Sequence, residues 1–157
     1  MKTGSVINKK NRPSIIGWRE WAELPDLGVP RIKVKVDTGA RTSALHALDP
    51  QIITKEGLQY VRFRILPLQH KIKPEIQCEA PLVDSRMVVN SGGKQEYRFV
   101  ILTRLLLGER EMNVEVTLTD RALLGFRMLV GRTAIRKKFL VDPARSFLLS
   151  GSKTEGK

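Results

Sequence analysis

Cysteine is nearly missing from this chain: Cys78 is alone among 157 residues. No internal disulfide can form, so stability must come from a packed core in a setting that is reducing, read here as cytoplasmic. A thiol nucleophile would need a positioned base, and His46 and His70 are the only histidines; Cys78 reads as a small packed residue and His46 as a packed or surface one. Long apolar runs are missing too. Stretches such as Phe99–Leu102 fall far short of the roughly 20 residues that cross a bilayer, so no membrane contact is expected. The basic start MKTGSVINKKNRP is followed by no apolar segment that would make it a secretory signal. There is no HExxH pair and no GxxxxGK[ST] loop, hence no compact zinc-ligand set and no cradle for nucleotide phosphates, and neither metal nor cofactor is expected. No RNA-binding signature is recognised, and the basic residues do not look interleaved with exposed aromatics as a stacking platform requires.

What the chain does have is apolar residues at 41%, enough to fold, with Trp18, Trp21, Phe63, Phe99, Phe126, Phe139 and Phe147 spread along it as core anchors. The length suits one domain, residues 14–150, between a flexible basic arm (1–13) and a flexible tail (151–157). A net charge of +12 favours acidic partners: nucleic acid, an anionic surface or an acidic peptide.

Strand signals dominate. Arg31–Asp37 alternates cleanly, with Ile32, Val34 and Val36 on one face and Lys33 and Lys35 on the other; Leu58–Leu66 and Met112–Asp120 alternate likewise. A strand is expected over Ile15–Trp21, leading to a loop at Pro25–Pro30. Ser43–Leu48 reads as a helical turn or a short strand. Asp84–Leu102 reads as two strands around Asn90-Ser91-Gly92-Gly93, a hairpin tip where glycine permits positive φ. Phe126–Val130 predicts a short strand, Arg132–Lys138 the one helix, and Phe139–Leu149 a strand, an Asp142-Pro143 turn and a second strand. The sum is a mainly-β closed barrel or sandwich with one short helix near its end.

Three features then fall in order: Asp37-Thr38-Gly39-Ala40 after an alternating strand, the glycine-tipped hairpin Met87–Arg98, and MLVGRTAI (Met128–Ile135). This order resembles the retropepsin-type aspartic proteases. More closely, VDTGARTSALHA, VTLTDR, MLVGRTAI and FLVDPARSFL resemble the bacterial family often labelled ATP-dependent zinc protease, whose members carry a retropepsin-like domain; the likeness runs from about Ile15 to Leu149. The resemblance implies a closed retropepsin-like acid-protease barrel, with Asp37 as catalytic carboxylate, Thr38 and Gly39 completing its triplet, the tip Asn90–Gly93 as a flap, and Gly131 and Arg132 as structural support.

An aspartic mechanism needs two carboxylates that share a proton, one drawing a proton from water and the other donating to the substrate carbonyl. Only one Asp-Thr-Gly is present; Asp84, Asp120 and Asp142 lack the glycine. The enzyme reading therefore demands a homodimer with one Asp37 from each copy. Ala40, Arg41, Arg86, Asn90, Ser91, Gly92, Gly93 and Arg98 are candidate substrate-binding residues. The arginines suit carboxylates, which points to an acidic or polyglutamate-tailed substrate; the resembled family is often associated with a glutamate ligase. Two other readings stand beside this one: a non-catalytic basic module for RNA or acidic protein tails, and a zinc-dependent hydrolase.

Overall fold

The computed structural model describes residues 12–69, 71–89, 92–120 and 125–149. The flap residues Asn90 and Ser91, most of the basic arm and the expected tail lie outside the described residues.

Six strands close a barrel. They are β2 (Arg19–Leu24), β3 (Val29–Val36), β10 (Met128–Val130), β4 (Ser43–His46), β9 (Arg110–Thr119) and β8 (Gln95–Leu107), and Glu23 of β2 meets Leu106 of β8 to complete the ring. From β8 the sheet runs on through β7 (Ile76–Val89), β6 (Leu58–Ile65) and β5 (Leu48–Lys55). A separate parallel pair joins β1 (Ser14–Gly17) to β11 (Phe139–Asp142). No helix among the described residues is long and apolar enough to cross a membrane.

The alternation in sequence becomes the barrel wall. In β3, Ile32, Val34 and Val36 are buried, while Arg31, Lys33 and Lys35 stay half-exposed. In β9, Met112, Val114, Val116 and Leu118 point inward. Each such side chain contributes about 1.5–3 kcal/mol of burial free energy, so a slip of one residue would turn the whole set outward.

Several boundaries differ from the sequence reading. The strand expected over Ile15–Trp21 is two strands, broken at Trp18, whose N–H donates to the Arg145 carbonyl at 2.9 Å. The closing segment runs so near that a Cβ on Gly17 would sit 2.2 Å from that same oxygen. Ser43–His46 is a strand, and β5 is one the sequence reading did not place. The helix α1 covers only Arg132–Ile135, because Lys137 takes φ 70 and turns the chain away. Among the described residues no second strand follows the Asp142-Pro143 turn. Residues 145–149 instead form a strap, pinned by Phe147 N–H to the Arg19 carbonyl at 3.0 Å.

The strap is also held by a carboxylate. Glu20 is fully buried, and its oxygens accept from Gly17 N–H at 2.7 Å, Leu148 N–H at 2.8 Å and Leu149 N–H at 3.2 Å. Charge-assisted bonds to backbone donors are what make a buried acid tolerable without a cation beside it.

Candidate active site

Asp37 follows directly on β3, and the first constraint on it is backbone geometry. Its N–H donates to the Val130 carbonyl at 2.9 Å, and Ala40 N–H donates to the Asp37 carbonyl at 3.3 Å, closing a turn. The loop is then clamped from the other side: Arg132 N–H bonds the Ala40 carbonyl at 2.6 Å and Thr133 N–H bonds that of Arg41 at 3.1 Å. The Arg132 guanidinium adds a bond from Nη1 to the Thr38 carbonyl at 2.9 Å. Gly131 fits because it lacks a side chain; a Cβ there would lie 2.6 Å from the Thr42 carbonyl carbon and 2.9 Å from the Ala40 oxygen. Buried Ser43 accepts the Gly131 N–H at 3.0 Å on Oγ. Gly131 and Arg132 thus brace the Asp37 turn.

Within that clamp the acid remains accessible. Asp37 is half-buried, and Thr38 and Gly39 are exposed. Asp37 Oδ1 accepts the Gly39 N–H at 2.9 Å, which fixes the carboxylate orientation. Among the described residues no second carboxylate hydrogen-bonds to it.

The candidate arginines separate. Arg41 and Arg86 line one cavity of about 390 Å³, with Lys138, Asn113, Thr133 and a single acid, Glu115, also in its wall. Arg86 is exposed and pairs with Asp84 at 2.9 Å; that hydrogen bond holds the Asp84 carboxyl below its ordinary value. Arg98 stands directly across the β7–β8 ladder from Arg86, half-buried, and does not line the cavity. Of the flap tip, Gly92 and Gly93 are described and exposed, and Gly93 takes φ 83, as a hairpin turn needs. Ala40 is half-buried in the clamped loop. Sequence reasoning missed Ser43, Lys138, Asn113 and Glu115. Ser43 sits within the quoted VDTGARTSALHA segment, whereas nothing local marks the other three.

A second groove, about 440 Å³, includes Thr38, the neighbour of Asp37, although Asp37 itself lines neither cavity. Ile135, Phe139, Leu140, Val141 and Pro143 give it a mostly apolar wall, with Arg132 and Arg136 at its edge. Leu140 is 60% exposed and stands opposite Ile15, 53% exposed, in the β1–β11 pair.

The remaining reactive groups are packed away. Cys78 is buried, its Sγ 3.5 Å from the Leu27 carbonyl, and burial pushes the thiol up to about 12. Burial, with Arg127 adding to it, pulls His46 below its ordinary value. Among the described residues no group of three His, Cys, Asp or Glu side chains is placed to hold a metal ion.

Arg19, Arg31 and Lys33 do lie interleaved with Trp18, Trp21 and Phe147, on the outer face of β2 and β3. The three rings are half-buried there, although two of them stand more than a hundred residues from the third in sequence.

Comparison with known proteins bears on this site. Residues 15–151 match the family described as RimB-like, retropepsin-like aspartic endopeptidase RimB. Protein Lpg0085 of Legionella pneumophila, a solved structure of unknown function (DUF785), superposes with a TM-score of 0.73 at 31% identity, over 87% of this chain and 98% of its own. Among curated proteins, the probable alpha-L-glutamate ligase of Shewanella pealeana is 46% identical over 86% of this chain. That of Desulfotalea psychrophila is 42% identical over 83%. The chain spans only 30% and 28% of those two relatives. With this coverage and a barrel that carries Asp37 on a clamped turn, the chain belongs to the RimB-like family of retropepsin-like aspartic endopeptidases.

Proposed function

We propose that the chain is one half of an aspartic peptidase, active as a homodimer on acidic, glutamate-rich peptides. The observation that carries this is the Asp37 turn: rigid in its backbone, gripped by Gly131 and Arg132, yet with its carboxylate left accessible. A turn that served only to reverse the chain would not need that second layer of bonds.

The second copy supplies the second Asp37. The apolar groove beside Thr38 and the exposed Ile15–Leu140 pair support a partner on this side of the acid. Two carboxylates brought close repel as anions, so the pair holds one proton between them. The ionised member takes a proton from water as the water oxygen attacks the peptide carbonyl. The protonated member donates to the carbonyl oxygen, and the resulting diol collapses with proton return to the leaving nitrogen. Thr38 and Gly39 hold the carboxylate in line, and the hairpin of β7 and β8 closes over the peptide.

Substrate acidity is supported by the cavity that joins Arg41 and Lys138 to Arg86, the last already paired with Asp84, with Glu115 the one acid in its wall. Arg98 and the tip residues Asn90, Ser91, Gly92 and Gly93 are further candidates for contact with the substrate. A link to a glutamate ligase is supported by the names of the curated relatives. A cytoplasmic setting suits the one buried cysteine.

The test is cleavage of an oligoglutamate peptide by wild type and by Asp37→Asn, with mass measured by light scattering. Wild type is expected to cleave as a dimer, and the variant to lose at least about 100-fold in rate. Undiminished cleavage by Asp37→Asn, or cleavage by a strict monomer, would refute the reading.

A further inference from the structure

The outer face of β2 and β3 carries four cations and three aromatic rings that the proposed peptidase site does not use. In the ladder, Arg19 stands opposite Lys35 and Trp21 opposite Lys33. The Arg31 guanidinium lies 4.0 Å from the centre of the Trp21 ring. The Lys33 ammonium lies 5.3 Å from Trp21 and 5.8 Å from Phe147. Arg19 rests 4.7 Å from Trp18 and 5.0 Å from Phe147, and Phe147 itself stacks on Trp21 at 5.8 Å and 21°.

A ring positions a cation without neutralising it, because a quadrupole carries no net charge. Among the described residues, every ion pair lies elsewhere; none involves Arg19, Arg31, Lys33 or Lys35. Arg31 Nη2 is buried with no hydrogen-bond acceptor. Glu23 is the one acid on this face of β2, against four cations. The crowding of positive charge registers at Lys33, which burial, Arg19 and Arg31 together pull below the ordinary lysine value.

We propose that this β2–β3 face binds single-stranded nucleic acid, with Arg19, Arg31, Lys33 and Lys35 holding phosphates and bases stacking against the ring-supported guanidinium groups. A carboxylate-bearing peptide would need only the cations. A surface that alternates cations with π faces matches a polymer that alternates phosphates with bases.

Fluorescence anisotropy of a labelled oligouridylate with the full chain tests this. Wild type is expected to bind at about 50 mM salt and to weaken steeply as salt rises. Arg31→Ala and Lys33→Ala each weaken binding about fivefold or more and lower the salt slope by about one. Lys33→Arg restores it, and Arg62→Ala, whose cation out on β6 is paired with Glu79, leaves it unchanged. Absence of binding overturns the proposal. So does equal binding by the Arg31 and Lys33 variants, a failed Lys33→Arg rescue, or an equal loss on Arg62→Ala. Displacement of the oligonucleotide by an equally charged oligoglutamate peptide at equal concentration would assign the face to acidic peptides and overturn it as well.

Discussion

The barrel and the β5–β6–β7 extension handle charge and contact in opposite ways. On the strands of the extension each basic side chain is matched: Lys55 and Arg62 to Glu79, Arg64 to both Asp49 and Glu75, and Arg86 to Asp84. On the barrel, Arg104 of β8 is matched to Asp26 and Glu111, but Arg31 and Lys33 sit on aromatic rings with no ion pair among the described residues. The contacts differ as well. The barrel closes around backbone approaches that leave no room for a methyl group, whereas the extension is laced by exposed ion pairs that solvent and salt can replace. A net positive chain therefore does not present its charge evenly. Ion pairs cancel it along the extension and at Arg104, and leave it open on the aromatic face of β2 and β3.

The largest expected effect tests the rigid half. Gly131→Ala places a Cβ against the Thr42 and Ala40 backbone and should cost about 2–4 kcal/mol in a denaturant melt, with peptide cleavage falling alongside. Full stability in that variant would erase the contrast between the two regions. A smaller effect concerns the core under the extension. The folded Cys78 thiol keeps its proton up to about 12, while an unfolded thiol releases it near 9.0. Between these values the native state binds more protons than the unfolded one, so stability falls as pH rises through that window. Cys78→Ala should flatten that part of the stability–pH curve, measured by urea melts; an unchanged slope would mean the thiol is not shielded. The smallest effect is on the outer face. Glu79→Gln should leave the melting temperature within about 2 °C of wild type, with the difference vanishing at high salt. A larger, salt-resistant loss would show that the exposed pairs hold the extension after all.

The barrel was legible because its strands alternate; β3 and β9 declare their inner faces residue by residue. Strand β5 was not, because it is exposed along nearly its whole length and has no buried face to set a period. Glu20 occupies an inward position that alternation reserves for apolar residues, and only the three backbone donors around it explain that. At the site, Asp37, Gly131 and Arg132 could be read from local order. The cavity could not: Arg41 and Lys138 lie far apart in the chain and meet only across the fold. The cation–ring face was hidden for the same reason, since Trp18, Trp21 and Phe147 each look like an ordinary anchor when taken singly.

The Glu20 contacts give this fold something that its single cysteine denies it. One side chain reaches both the segment that enters the barrel, at Gly17, and the one that leaves it, at Leu148 and Leu149. It cross-links the two ends of the domain as a cystine would in a secreted protein, but without a redox-sensitive bond. A clasp of this kind stays shut in the presence of thiols.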